Sequence, residues 1–126
     1  MLAIRGATTV QSDREKDIRT AVENLMKQIL EENNLKEEDI VSAIFSSTSD
    51  ITAIYPARIF REMGYKEVPL FSCMEPPIRD NLKKCVRVLL HVDVPGERYN
   101  LNNGVRHVYL NEAKNLRPDL GDDDRQ

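Results

Sequence analysis

The stretch Ser72-Cys73-Met74-Glu75-Pro76-Pro77-Ile78-Arg79-Asp80-Asn81-Leu82-Lys83-Lys84-Cys85-Val86-Arg87-Val88-Leu89-Leu90-His91-Val92 joins the end of one apolar run to a long β-branched run. Two prolines stiffen the loop between them. The second run, Leu82 to Asp93, is the longest strand signal in the chain. On a strand, alternate side chains point to opposite faces, which puts Val86, Val88, Leu90 and Val92 on one side and Cys85, Arg87, Leu89 and His91 on the other. A charge between Val86 and Val88 is costly to bury unless something pairs with it. Arg87 is therefore the residue to explain, and Glu75, at the mouth of the loop, is a candidate partner.

Outward from that stretch, the preceding run Val68-Pro69-Leu70-Phe71-Ser72 reads as a strand, with its proline near the start where a missing amide is tolerated. Before it, Ala57 to Met63 reads as a short helix opened by Pro56 and stopped by Gly64. Arg58 and Arg61 share one face of that helix. They are either ordinary surface cations, the commoner use, or an anion clamp. Ile40 to Ser46 is an apolar run of strand length, followed by Ser47-Thr48-Ser49-Asp50 with turn and cap chemistry, and Lys36 to Asp39 has room for a helical turn.

Ile18, Ala21, Val22, Leu25, Met26, Ile29 and Leu30 recur at helical spacing, with Glu and Lys opposite, and predict one long amphipathic helix ending at Asn33-Asn34. Ser12 and Glu15 have the spacing of a capping box at its start. Leu2 to Val10 is a first strand interrupted by Arg5-Gly6. Past a polar loop from Pro95 to Gly104, Val105 to Leu110 is a last strand with His107 and Tyr109 on one face; His107 reads as structural rather than as a base. The pattern is an α+β single domain: a mixed sheet of about five strands with one long and one short helix. One long helix cannot cover both sheet faces, so the second face is expected to pack on another copy of the chain.

The chain has 126 residues, enough for one domain that buries about two-thirds of its unfolded surface. Apolar residues make up 40% and charged residues 31%, as in an ordinary globular protein, and the formal charge of −3 gives no basic stripe for nucleic acid or an anionic membrane. Arginines outnumber lysines, which suits small-anion recognition as well as surface ion pairs. Cys73 and Cys85 lack metal or redox spacing and read as two small buried thiols. With two histidines and no H-x-x-x-H pattern, a zinc site is not expected. No membrane span or targeting segment is legible, and a cytoplasmic location is expected. The residues after Leu120 form an acidic end, expected to be disordered.

Ordinary catalytic apparatus is missing from the sequence: there is no nucleophile elbow, phosphate loop or dinucleotide fingerprint. Arginines at strand and short-helix positions, with Glu75 and Tyr109 as polar partners, suit holding a multiply anionic small molecule and stabilising developing negative charge. Several strings then become specific together: Ile4-Arg5-Gly6-Ala7-Thr8-Thr9-Val10, Tyr55-Pro56-Ala57-Arg58 with Arg61, Glu75 in its loop, Val86-Arg87-Val88, Arg106-His107-Val108-Tyr109-Leu110 and Leu116-Arg117-Pro118-Asp119-Leu120. In this order the chain resembles the monofunctional AroH-type chorismate mutases over residues 1–120.

The resemblance implies a homotrimer of pseudo-α/β-barrel form with active sites at the subunit interfaces, chorismate as substrate, prephenate as product and no cofactor. It implies Arg87 beside the ether oxygen and Glu75 on the ring hydroxyl as the catalytic pair. It implies Arg5 and Tyr109 at a substrate carboxylate, with Tyr55, Ala57, Arg58, Arg61 and Phe71 as a wall from the neighbouring subunit, and Leu116 and Arg117 in a closing tail. Relatives often carry cysteine three residues before the glutamate. Here Ser72 holds that place, and the role falls to Ser72, largely through its backbone, rather than to Cys73. Asp80-Asn81 stands where relatives tend to have glycine, and both residues tolerate left-handed geometry. Two other readings stay open: a non-catalytic trimeric binder of carboxylated metabolites, and an enamine or imine deaminase of similar architecture, which leaves the Tyr109 and Arg117 strings unexplained.

Overall fold

A computed structural model of the chain describes residues 1–95 and 104–116. In order along the chain lie β1 (Leu2–Thr9), α1 (Glu15–Glu32), a 3-10 turn (Glu37–Asp39), β2 (Ile40–Ser47), α2 (Pro56–Glu62), β3 (Leu70–Met74), β4 (Cys85–Val92), β5 (Val108–Tyr109) and a second 3-10 turn (Asn111–Asn115). The strands form one mixed sheet in the order β3-β2-β4-β1-β5. The central strand β4 runs antiparallel to both β1 and β2, while β3 joins β2 and β5 joins β1 in parallel. The α+β reading of one sheet with one long and one short helix holds.

Both helices cover the same face. The stripe Ile18, Val22, Leu25, Met26, Ile29 and Leu30 of α1 is buried against Ile4 of β1 and Val86, Val88, Leu90 and Val92 of β4, and Ile59 and Phe60 of α2 join the same core beside Phe45. Burying an aliphatic side chain of this size stabilises by about 2 kcal/mol as an upper figure. Gly6 explains the interruption in β1. A Cβ there would stand 2.5 Å from Cδ1 of Ile29 and 3.0 Å from Cγ1 of Val88, so glycine lets α1 lie close on the sheet.

Several local expectations are revised. The capping box at Ser12 and Glu15 does not form: α1 opens at Glu15 behind Arg14, without a side-chain cap. The Ser12 hydroxyl instead donates to Asp17. The Asp13 carboxylate accepts from the main-chain N–H groups of Thr52 and Ala53 at 2.8 and 3.0 Å, tying the start of α1 to the approach of α2. Strand β3 starts at Leu70, not Val68, and the last strand shrinks to Val108–Tyr109. The turn Thr48–Asp50 caps no helix. Asp50 accepts from the main-chain N–H of Lys84 at 2.9 Å, and Thr48 accepts from that of Cys85 at 2.9 Å, so this turn fixes the start of β4. Asp80 takes φ 64°, the left-handed geometry anticipated for the loop before it. Most of the polar loop before Gly104 and the acidic end lie outside the described residues. Among the described residues, no helix is long and apolar enough to cross a membrane.

Candidate active site

The sheet face away from the helices carries the charges. Cross-strand register sets Ala7 of β1 and Ser46 of β2 on either side of Arg87, and Arg5 and Ile44 on either side of Leu89. Cys73 of β3 stands beyond Ser46, and Tyr109 of β5 beyond Ala7. A hollow of about 260 Å³ follows, lined by Arg5, Ala7, Ile44, Ser46, Cys73, Arg87, Leu89 and Tyr109 among others. Four strands thus deliver Arg5, Ser46, Arg87 and Tyr109 to one place.

Arg87 has the partner its position calls for. Its Nε lies 3.5 Å from Oε1 of Glu75. The other oxygen of Glu75 accepts from the Ser46 hydroxyl, and its main-chain N–H donates to the Ser47 carbonyl at 2.9 Å, which fixes the loop beyond β3 onto β2. Glu75 is mostly shielded at 15% exposure, whereas Arg87 keeps 40% of its side chain open. Cys85 sits buried at the foot of β4 on the same face. Burial pushes its thiol up despite the opposing pull of the Arg87 guanidinium, so it stays protonated and unreactive.

A second, larger hollow of about 640 Å³ adjoins the first at Ser46 and Cys73. Tyr55, Arg58 and Ser72 line it. Arg58 leans on its own helix, Nε donating to Glu62 at 2.9 Å. Arg61 and Phe71 are exposed outside both hollows, and Ala57 is core. Leu116 packs on the small cluster of Ala7, Tyr109 and Ala113 behind the first hollow. Arg117 lies outside the described residues. Ser72 and Cys73 part company: Cys73 shares the Arg87 hollow, while Ser72 points to the other side of β3, and Cys73 is exposed rather than buried as expected.

Sequence reading missed two residues. Ser46 looked like the end of an apolar run, and its meeting with Glu75 appears only once β2, β3 and β4 are in register. Asn33 looked like a helix stop. Its side chain also donates to the Arg106 carbonyl at 2.9 Å and accepts from the Arg106 N–H at 2.8 Å, holding the segment before β5 against the end of α1.

An arginine steadied by a carboxylate, with a second arginine and a tyrosine in the same open hollow, is an arrangement suited to holding a small polyanion and stabilising developing negative charge. Residues 1–120 match the family model described as chorismate mutase type I. The chain belongs to the type I chorismate mutase family. It is 42% identical over 120 residues to chorismate mutase AroH of Bacillus subtilis, covering 93% of this chain and 90% of that protein. It is 41% identical to chorismate mutase AroH of Thermus thermophilus, covering 93% of each. A solved chorismate mutase from Clostridium thermocellum superposes with a TM-score of 0.81 at 39% identity, over 92% of this chain and all of that one. The binder and deaminase readings are not favoured.

Proposed function

We propose that this protein converts chorismate to prephenate in aromatic amino acid biosynthesis, with Arg87 and Glu75 as the catalytic pair and residues 1–120 as the working domain. A chorismate mutase is an isomerase. In its intramolecular [3,3] rearrangement one C–O bond breaks while a C–C bond forms, with no covalent intermediate and no proton transfer. As the C–O bond lengthens, negative charge grows on the ether oxygen, and a guanidinium preorganised beside it lowers the barrier. One such donor contributes roughly 3 kcal/mol. Glu75 accepts from the ring hydroxyl and offsets the Arg87 charge between turnovers. Arg5 and Tyr109 hold a carboxylate, restraining the flexible substrate in its reactive diaxial form.

The observation that carries this reading is Arg87 itself: a half-open guanidinium on a packed sheet, steadied by Glu75 at 3.5 Å and sharing its hollow with Arg5 and Tyr109. A homotrimer completes the site in this reading, with Tyr55, Ala57, Arg58, Arg61 and Phe71 supplied by the neighbouring subunit, Ser72 contacting the substrate largely through its backbone, and Leu116 and Arg117 closing over it. Its support is the uncovered sheet face and the bare edge at β3, where Phe71 and Met74 are 66% and 70% exposed. The free thiols of Cys73 and Cys85 suit a reducing cytoplasm. The test is the loss of chorismate absorbance on adding purified protein. Steady conversion to prephenate is expected, and none at all would refute the function.

A further inference from the structure

We infer that Ser46 is a positioning residue whose hydroxyl holds the Glu75 carboxylate off the Arg87 guanidinium. The inference rests on the reading of Arg87 and Glu75 as the catalytic pair. Ser46 is the cross-strand neighbour of Arg87 on one side and of Cys73 on the other, so its side chain rises from the open face between them. Its Oγ donates to Oε2 of Glu75. The remaining oxygen, Oε1, meets Arg87 at 3.5 Å through Nε, too far and too poorly aimed for a hydrogen bond.

That spacing is unusual for this pair of groups. A free carboxylate and guanidinium close into a two-pronged fork with N···O distances of about 2.8 Å. Here Glu75 spends one oxygen on Ser46, and Nε of Arg87 stays buried without a hydrogen-bond partner among the described residues. Among the described residues no carboxylate forks onto the guanidinium, which keeps 40% of its side chain open toward the hollow, and Glu75 keeps acceptor capacity for the ring hydroxyl. Without the Ser46 hydroxyl, the carboxylate turns and forks onto Arg87. Charge that the ether oxygen needs is then neutralised in the resting enzyme, and the cost falls on the chemical step.

Ser46→Ala separates this role from simple packing. With the Tm close to that of the unaltered protein, kcat for chorismate should fall about tenfold, the equivalent of one hydrogen bond to a charged group, with KM within about twofold. Ser46→Cys keeps the volume but weakens the donor, and should lose kcat in the same direction; it also serves if the alanine variant does not fold. In a Glu75→Ala background, where no carboxylate remains to restrain, Ser46→Ala should cause no further loss. An unchanged kcat in both single variants would overturn the inference, as would the same fractional loss with and without Glu75. Failure of the underlying function is seen separately, as an unaltered protein that does not turn over chorismate.

Discussion

The main-chain N–H of Arg5 donates to Nδ1 of the His107 ring at 2.9 Å. Strand β5 pairs with β1 only at Gly6 and Ala7, so this side chain extends the ladder one residue further, to the backbone that carries Arg5. An accepting Nδ1 requires the neutral ring to hold its proton on Nε2. His107→Leu, which lacks the acceptor, should raise KM for chorismate about fivefold, the worth of one net hydrogen bond, with kcat little changed. His107→Asn offers an oxygen near the same place and should recover most of the loss. Steady-state kinetics on both variants decides the matter.

Arg87→Ala should lower kcat by about a thousandfold or more while the fold survives, because in the proposed mechanism the charge it removes is used as the bond breaks. Arg87→Lys should also be severely impaired, since a flexible ammonium does not reproduce a planar fork. Near-native kcat in the alanine variant, with circular dichroism unchanged, would remove Arg87 from the mechanism.

Gly6→Ala should destabilise the protein by about 1–3 kcal/mol, the usual cost of overpacking, because its methyl group would enter the space of Ile29 and Val88. Denaturant unfolding measures this directly. A neutral result would mean that α1 shifts off the sheet at little cost.

Asn33→Leu removes a clamp that binds both main-chain groups of Arg106. Leaving those groups without their partner should cost about 2 kcal/mol. Hydrogen exchange should also quicken at Arg106 and the residues leading to Tyr109, well before it quickens in β4.

Acid should loosen two tethers together. The Asp13 carboxyl is held below its ordinary range by hydrogen bonds from the Thr52 hydroxyl and main chain. For Asp50, burial acts upward but is outweighed by hydrogen bonds from Thr48 and the Lys84 main chain, so its carboxyl is also lowered. A carboxylate whose folded value is depressed stabilises the native state above its unfolded value, and that stability is lost as pH falls through the folded value. Unfolding free energy should therefore decline as pH drops below about 3.9, the unperturbed aspartate value. The decline should be shallower in an Asp13→Asn, Asp50→Asn double variant. Equal slopes in urea titrations across that range would refute the linkage.

Element type was legible wherever periodicity was strong. The α1 stripe and the alternation of β4 each specify one face to bury, and both formed as read. Boundaries failed where polar side chains had a choice of partner. Ser12 had the spacing for a capping box, yet its hydroxyl found Asp17 while Asp13 reached across to Thr52. Arg87 could be singled out from the cost of an isolated charge in a strand, a local property, with Glu75 in the loop beside it as a candidate partner. Ser46 could not, because its role exists only in the register of three strands, and register is a property of pairing. The same limit governed the two residues before Met74: the sequence spacing favoured Ser72, whereas the pleat of β3 turns Cys73 toward Arg87.

The strand order β3-β2-β4-β1-β5 brings residues from both ends of the chain to one hollow. Arg5 comes from β1, Tyr109 from β5 on one side of it and Arg87 from β4 on the other. Closing such long loops is slow, and each closure is an entropic cost met before the contacts it makes can repay it. These three strands are neighbours in the sheet, while Ser46 on β2 and Glu75 after β3 complete the site, so the full set of residues needs all five strands in place. Recovery of turnover after dilution from denaturant therefore reports completion of the whole sheet, and should lag behind the return of helical signal from α1.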